Sequence, residues 1–202
     1  MRALLAIAVM VCVLAGDQLL KLWVKTHMRL HEAIRVTDWF YLYFTENKGM
    51  AFGMDFIGTM FLSTFRIVVV SVFIWLLIKV IRGRYPMGLL VCMALLVAGA
   101  AGNIFDNCFY GLVFDESTAY EVAHFVPWGH GYGHFLTGHV VDMFYFPLVD
   151  TYWPDWVPFV GGEHFVFFSA IFNFADAAIS CGAVALLIFY HRYLLTTKPT
   201  RR

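Results

Sequence analysis

Four apolar runs dominate the chain, roughly Ala3–Val24, Gly58–Ile81, Met87–Tyr110 and Phe165–Tyr190. Each is long enough to cross a bilayer core, which takes about 20 helical residues. Such runs leave few options, because a backbone in lipid must satisfy its own hydrogen bonds and a helix does so. Composition points the same way. Of 202 residues 61% are hydrophobic and 14% are charged, whereas a soluble domain is about a quarter charged. That excludes a disordered chain. The 14 Lys+Arg balance 14 Asp+Glu, so no basic excess points to a nucleic-acid partner. Cys12, Cys92, Cys108 and Cys181 form no C-x-x-C and imply no disulfide framework. Arg2 and the small-residue stretch Leu14-Ala15-Gly16 fit a cleavable secretory leader. The apolar pattern continues through Leu19, Leu20, Leu22, Trp23 and Val24, so the run reads as a retained helix.

Basic residues near the ends of spans orient a bundle. Arg2 precedes the first run, Lys79, Arg82 and Arg84 separate the second and third, and Arg192, Lys198, Arg201 and Arg202 follow the fourth. Residues 111–164 contain no Lys or Arg. Lys25, Arg29, Arg35 and Lys48 between the first two runs are a mild counter-signal. The expected class is membrane all-α: four transmembrane helices, N-in/C-in, as one membrane domain over 1–202 with outer loops 25–57 and 111–164. Trp39 to Thr45 is rich in strand formers. Alternation would set Trp39, Tyr41 and Tyr43 against Phe40, Leu42 and Phe44, in a small extracytoplasmic β-sheet. The second outer loop is aromatic-rich, which suits the headgroup layer.

Ionisable residues inside spans are costly and mark function. Asp17 and Lys21 lie at i and i+4 on one face of the first helix, where a self-neutralising pair is the plain alternative. Asn103 and Asp106 end the third run, and Asn173 and Asp176 share a face of the fourth. Arg66 in the second is expected to snorkel outward. Counted from Arg2, Arg84 and Arg192 at about 1.5 Å per residue, Asp17, Asn103 and Asp176 lie at similar depth in the outer half of the core. Groups at one depth can share one site. Val140-Val141-Asp142-Met143-Phe144 is an apolar run broken by one carboxylate. A solvated loop Asp is the default there, but the apolar flanks suggest a segment pressed on the bundle with Asp142 aimed inward. Two neighbouring carboxyls tend to hold one proton. The ionised one can then activate water while the other serves as acid, with no metal or cofactor.

These segments resemble the motifs of lipoprotein signal peptidase (signal peptidase II), an aspartyl protease family of bacterial membranes. Asp17-Gln18-Leu19-Leu20-Lys21 is similar to the family's D-Q-x-x-K, and Asn47-Lys48-Gly49-Met50-Ala51-Phe52-Gly53 to N-x-G-x-A-F. Gly102-Asn103-Ile104-Phe105-Asp106 resembles the start of G-N-x-x-D-R, Val140-Val141-Asp142 its V-V-D, and Phe172-Asn173-Phe174-Ala175-Asp176 its F-N-x-A-D. The resemblance implies removal of signal peptides from precursor lipoproteins, with the cut just before the diacylglyceryl cysteine. It implies catalytic roles for Asp142 and Asp176, and substrate-binding or supporting roles for Asn47, Gly49, Asn103, Asn173, Asp106, Asp17 and Lys21. An outer β-cradle, a flexible outer segment around 36–56, a monomer in contact with lipid in the bacterial inner membrane, a site at the outer face and globomycin-like cyclic peptide inhibitors are also implied. The chain departs from the pattern at Asn107, where the family block ends in Arg. Lys48 and Arg66 are the bases able to reach in. The gaps from Asn103 to Asp142 and from Asp142 to Asp176 are longer than the family's, and the extra residues read as a lid or a substrate-shaping insertion.

Two other readings compete. His124, His130, His134, His139 and His164 could supply a zinc site, which takes three or four convergent ligands. No H-E-x-x-H helix is present, and surface histidines are the simpler expectation. An ion- or proton-translocating membrane protein would also carry intramembrane Asp. Four spans without repeat symmetry fit common transporter designs poorly.

Overall fold

The computed structural model describes residues 1–48 and 59–195. Three long helices follow the apolar runs: α1 (Arg2–His27), α2 (Thr59–Arg82) and α3 (Met87–Val113). All three are long and apolar enough to cross a membrane. At 26, 24 and 27 residues each exceeds a hydrocarbon core of about 30 Å. Their lipid-ready surface is explicit. Leu4, Ile7, Val11 and Leu19 of α1 and Phe61, Phe65, Val68 and Trp75 of α2 are exposed, and so much apolar surface suits an acyl-chain solvent. On α1 the buried positions are Ala6, Val13, Asp17, Lys21, Val24 and Lys25, spaced by three, four and seven along one face. That face packs on α3, the most enclosed helix.

Between the helices lie two antiparallel sheets. The first has the order β1 (Ala33–Arg35), β2 (Tyr41–Asn47), β3 (Val140–Tyr145), β6 (Ile171–Phe172). The second pairs β4 (Val149–Tyr152) with β5 (His164–Phe167). A register shift between Leu42 and Thr45 drives Phe44 into the core beside Val24, Tyr110, Val141 and Met143. Ring contacts sort the faces. Tyr41 and Tyr43 meet Tyr145, while Phe40 stacks on Phe146 and meets Phe144 at a tilt. Trp39 departs from its expected face. It precedes the strand and stacks on Phe146.

The fourth apolar run differs from expectation in both type and length. Its first part is strand, β5 and β6, and the helix α4 covers only Phe174–Phe189. The cause is a capping box. The Asn173 side chain accepts from Asp176 N at 2.8 Å, and the Asp176 carboxylate accepts from Asn173 N at 3.5 Å. A cap of this kind marks a helix start, and the aromatic residues ahead of it pair with β3 and β4 instead. Sixteen residues reach about 24 Å, and a short helix α5 (His191–Leu195) follows. The class is a helical membrane bundle with small antiparallel sheets, as expected, with two sheets in place of one and a fourth helix shorter than its apolar run.

α3 and α4 approach closely because small residues face each other. A methyl added at Gly99 would meet the Ala175 carbonyl at 2.4 Å, and one at Gly102 would meet the Asp17 carboxylate at 2.7 Å. The outer loop after α3 folds back on that helix. Phe114 pairs with Phe125, Tyr132 N donates to the Phe114 carbonyl, and Gly138 N donates to the Asn107 carbonyl. It thereby feeds Val140 into the sheet directly above the polar end of α3.

Candidate active site

Lys21 is the hub of the polar groups inside the bundle. Its ammonium lies 2.9 Å from Asp17 Oδ2, 2.7 Å from Asp106 Oδ2 and 2.8 Å from Asn103 Oδ1. An ammonium has three N–H donors, so all three are used. Gln18 bridges the same carboxylates, donating to Asp17 Oδ2 at 3.1 Å and Asp106 Oδ1 at 2.9 Å, and accepts from Tyr110 OH at 3.1 Å. Asp17 Oδ1 accepts from Ala175 N on the first turn of α4. Asp106 Oδ2 accepts from Val141 N at 3.4 Å. One buried cluster therefore ties α1, α3, α4 and β3 together.

From this base the network climbs to two further carboxyls. Asn103 Nδ2 donates to Asp176 Oδ1 at 2.7 Å. Asn173, fully buried, donates from Nδ2 to both Asn103 Oδ1 at 3.1 Å and Asp142 Oδ1 at 2.6 Å. Each asparagine thus donates an amide N–H to an aspartate carboxylate; Asn103 turns its oxygen to Lys21, and Asn173 turns its oxygen to the backbone N–H of Asp176. Asp142 is buried on β3, and Asp176 is partly exposed on α4. Burial, and then the neighbouring Asp176 charge, push the Asp142 carboxyl up to about 7. A carboxyl that titrates near neutrality beside a second one can both give and take a proton.

The sequence-derived residues Asp17, Lys21, Asn103, Asp106, Asp142, Asn173 and Asp176 thus fall in one connected set. Asp142 is not a solvated loop acid, and the Asp17–Lys21 contact is one edge of a larger cluster rather than an isolated pair. Asn47 ends β2 opposite Val140 and, with Thr45, Glu46, Lys48 and Asp142, lines an open hollow of about 360 Å³. Gly49 lies outside the described residues.

Two features go beyond the sequence reading. Of the two expectations for Arg66, outward snorkelling fails and reaching inward holds. Its NH1 donates to Asn107 Oδ1 at 2.8 Å, and Asn107 Nδ2 donates to the Gly138 carbonyl at 2.7 Å. The second is a buried knot at the outer end of α1. Lys25 Nζ lies 2.5 Å from Glu46 Oε1 and 2.8 Å from Ser117 Oγ, and His139 Nδ1 lies 2.9 Å from Glu46 Oε2. Burial works to raise the Glu46 carboxyl, but the His139 and Lys25 contacts outweigh it and hold it at about 2. Lys25 continues the Asp17–Lys21 face by one turn, which was the available signal. His139 is accordingly not a surface histidine. Among the described residues no three His, Cys, Asp or Glu side chains are placed to hold a metal ion.

Comparison with known proteins now has a fold and a site to refer to. The family model for signal peptidase (SPase) II matches residues 9–192. The chain belongs to the signal peptidase II family. A lipoprotein signal peptidase of Porphyromonas gingivalis is 47% identical over 92% of this chain and 82% of its own length. One from Amoebophilus asiaticus is 37% identical over 87% of this chain and 72% of its own length. In fold, the chain is similar to a bacterial membrane enzyme solved by the in meso method at 2.3 Å resolution. The TM-score is 0.61 at 20% identity, covering 98% of this chain and 93% of that one. A second such enzyme, at 1.9 Å, gives a TM-score of 0.60 at 22% identity, covering 96% and 94%. These two likenesses are likenesses of fold over nearly the whole chain.

Proposed function

We propose that this chain cuts diacylglyceryl-modified precursor lipoproteins just before the lipidated cysteine, with Asp142 and Asp176 as an acid–base pair. The observation that carries the reading is the bridge Asp142–Asn173–Asn103–Asp176, which links two carboxyls through two oriented amides. The pair shares one proton. Its ionised member takes a proton from a water, whose oxygen attacks the scissile carbonyl carbon. Its protonated member gives a proton to the carbonyl oxygen. The tetrahedral diol collapses as the carboxyl that took the water proton gives it to the leaving amine, the other carboxylate takes back a hydroxyl proton and the C–N bond breaks, which returns the pair to its single proton. Asp17, Lys21 and Asp106 hold the two asparagines in place, and Asn47, Gly49, Asn103 and Asn173 meet the substrate backbone or the pair. No metal or other cofactor takes part.

The wider setting belongs to the same proposal. The chain acts as one monomeric membrane domain with four crossings, both termini in the cytoplasm and the aspartates at the outer face of the bacterial inner membrane. Membrane lipid surrounds it, and globomycin-like cyclic peptides block the site. The test uses purified full-length protein in detergent and a diacylglyceryl-modified precursor. Asp142→Asn and Asp176→Asn are each expected to lower kcat by at least a thousandfold with Tm retained. Cleavage that survives either change overturns the acid–base assignment. Ion flux in proteoliposomes that depends on Asp176 would favour a translocating protein instead.

A further inference from the structure

We propose that Arg66 is the substrate-binding guanidinium of this site, supplied from α2 and aimed by Asn107. The inference rests on the cleavage reading above and deepens it. α3 ends its polar motif in Asn107, and residues 111–164 hold no Lys or Arg to take over locally. Arg66 fills the gap from another helix. It stands one turn from Ser63 and one turn from Val70, both buried, on the face of α2 that turns toward the bundle. Ser63 Oγ donates to the Leu136 carbonyl at 2.9 Å, which fixes this end of α2 to the outer loop. Asn107, fully buried, is itself held by Gly138, so its Oδ1 is a fixed bracket for Arg66 NH1.

The guanidinium is underused by the protein. It has five N–H donors, and one meets Asn107. Among the described residues no carboxylate pairs with it. Its other N–H groups are not sealed in packed protein. Arg66 also lines a cavity of about 120 Å³, together with Phe65, Val69, Ala100, Asn103 and Ile179. Asn103 is also the residue that donates to Asp176, so the cavity and the aspartate pair share a wall. A cation in an apolar span is costly and is kept where it has a partner. The partner that fits is a neutral acceptor delivered from the membrane, a carbonyl oxygen. The substrate offers two kinds, in its extended peptide backbone and in the two acyl esters of its lipid. An ammonium would supply the charge without the planar fork.

The experiment measures cleavage of a synthetic diacylglyceryl-cysteine peptide by full-length protein in detergent, with Tm recorded for each variant. Arg66→Ala is expected to lower kcat/KM by about tenfold to a hundredfold, mainly through KM, with Tm retained. Arg66→Lys should recover only part of the loss. Arg66→Ala combined with Asn107→Arg should restore KM, because it returns the guanidinium to the neighbouring position. Asn107→Asp should weaken binding while leaving Arg66 in place, because it engages the fork in an ion pair. A dialkyl-ether substrate separates the two sources. Loss of the Arg66 effect there assigns the ester carbonyls, and its persistence assigns the backbone. Unchanged kcat/KM in Arg66→Ala overturns the proposal, as does a loss that Asn107→Arg leaves unrepaired. Asp142→Asn and Asp176→Asn are run alongside. If they still cleave, the aspartate reading fails whatever Arg66 does. If they are dead while Arg66→Ala is normal, only the Arg66 proposal fails.

Discussion

Lys21 shows how a single residue decides what its neighbours can do. Three acceptors surround three donors, all buried. Removing one partner of a buried ion pair leaves an uncompensated charge and costs about 3–5 kcal/mol. Lys21→Met is therefore expected to lose several kcal/mol, read as a large fall in Tm in detergent and as lost cleavage. Asp142 makes a different kind of prediction. Its carboxyl titrates at about 7 rather than near 4. The raised value means that the stabilising contribution of its proton is present below about 4 and is lost as pH rises through about 7. Under the proposed mechanism the pair also loses its single proton on that limb. kcat is expected to fall tenfold per pH unit above about 7, and a pH profile of cleavage checks it. A profile flat to pH 9 would remove Asp142 from the pair.

At the scale of elements, the close approach of α3 to its neighbours rests on absent side chains. Gly102→Ala would set a methyl 2.7 Å from the Asp17 carboxylate that anchors α4. The expected result is a lower Tm and slower cleavage, since the displaced carboxylate also holds Lys21. The outer loop and β2 meet through Lys25, Glu46, Ser117 and His139. Because the Glu46 carboxyl is held at about 2, its contribution is present above about 4.5 and is lost as pH falls toward about 2. Glu46→Gln is expected to loosen the loop, measured as faster amide hydrogen exchange over 115–139, while α3 stays protected. Legibility at this scale was uneven. Three helices could be read to within a few residues, because lipid leaves a long apolar run no other way to satisfy its backbone. The fourth run could not, because an apolar strand packed on a sheet and an apolar helix in lipid have the same composition. The capping box at Asn173 and Asp176 was the local signal that separated them.

The whole molecule sorts its charge by depth. Arg2 ties its end of α1 to the carbonyls of Tyr85 and Val80. Arg82 and Arg84 stand at the same end, in the turn between α2 and α3. The aspartates and the aromatic hairpin of β4 and β5 lie toward the opposite end. In a cysteine-free background, Trp156→Cys is expected to react with a membrane-impermeant maleimide in intact cells, and Arg84→Cys only after permeabilisation. The reverse pattern would invert the proposed orientation. Sequence alone determined the membrane helices and the run of polar motifs, because both are written in local order: apolar length, and short blocks of residues one helical turn apart. Only the tertiary structure decided which polar group meets which. Lys21 chooses Asp106 across 85 positions as readily as Asp17 one turn away. Arg66 turns inward to Asn107 from a separate helix. Such pairings depend on where helices come to rest against each other, and no local pattern encodes that distance.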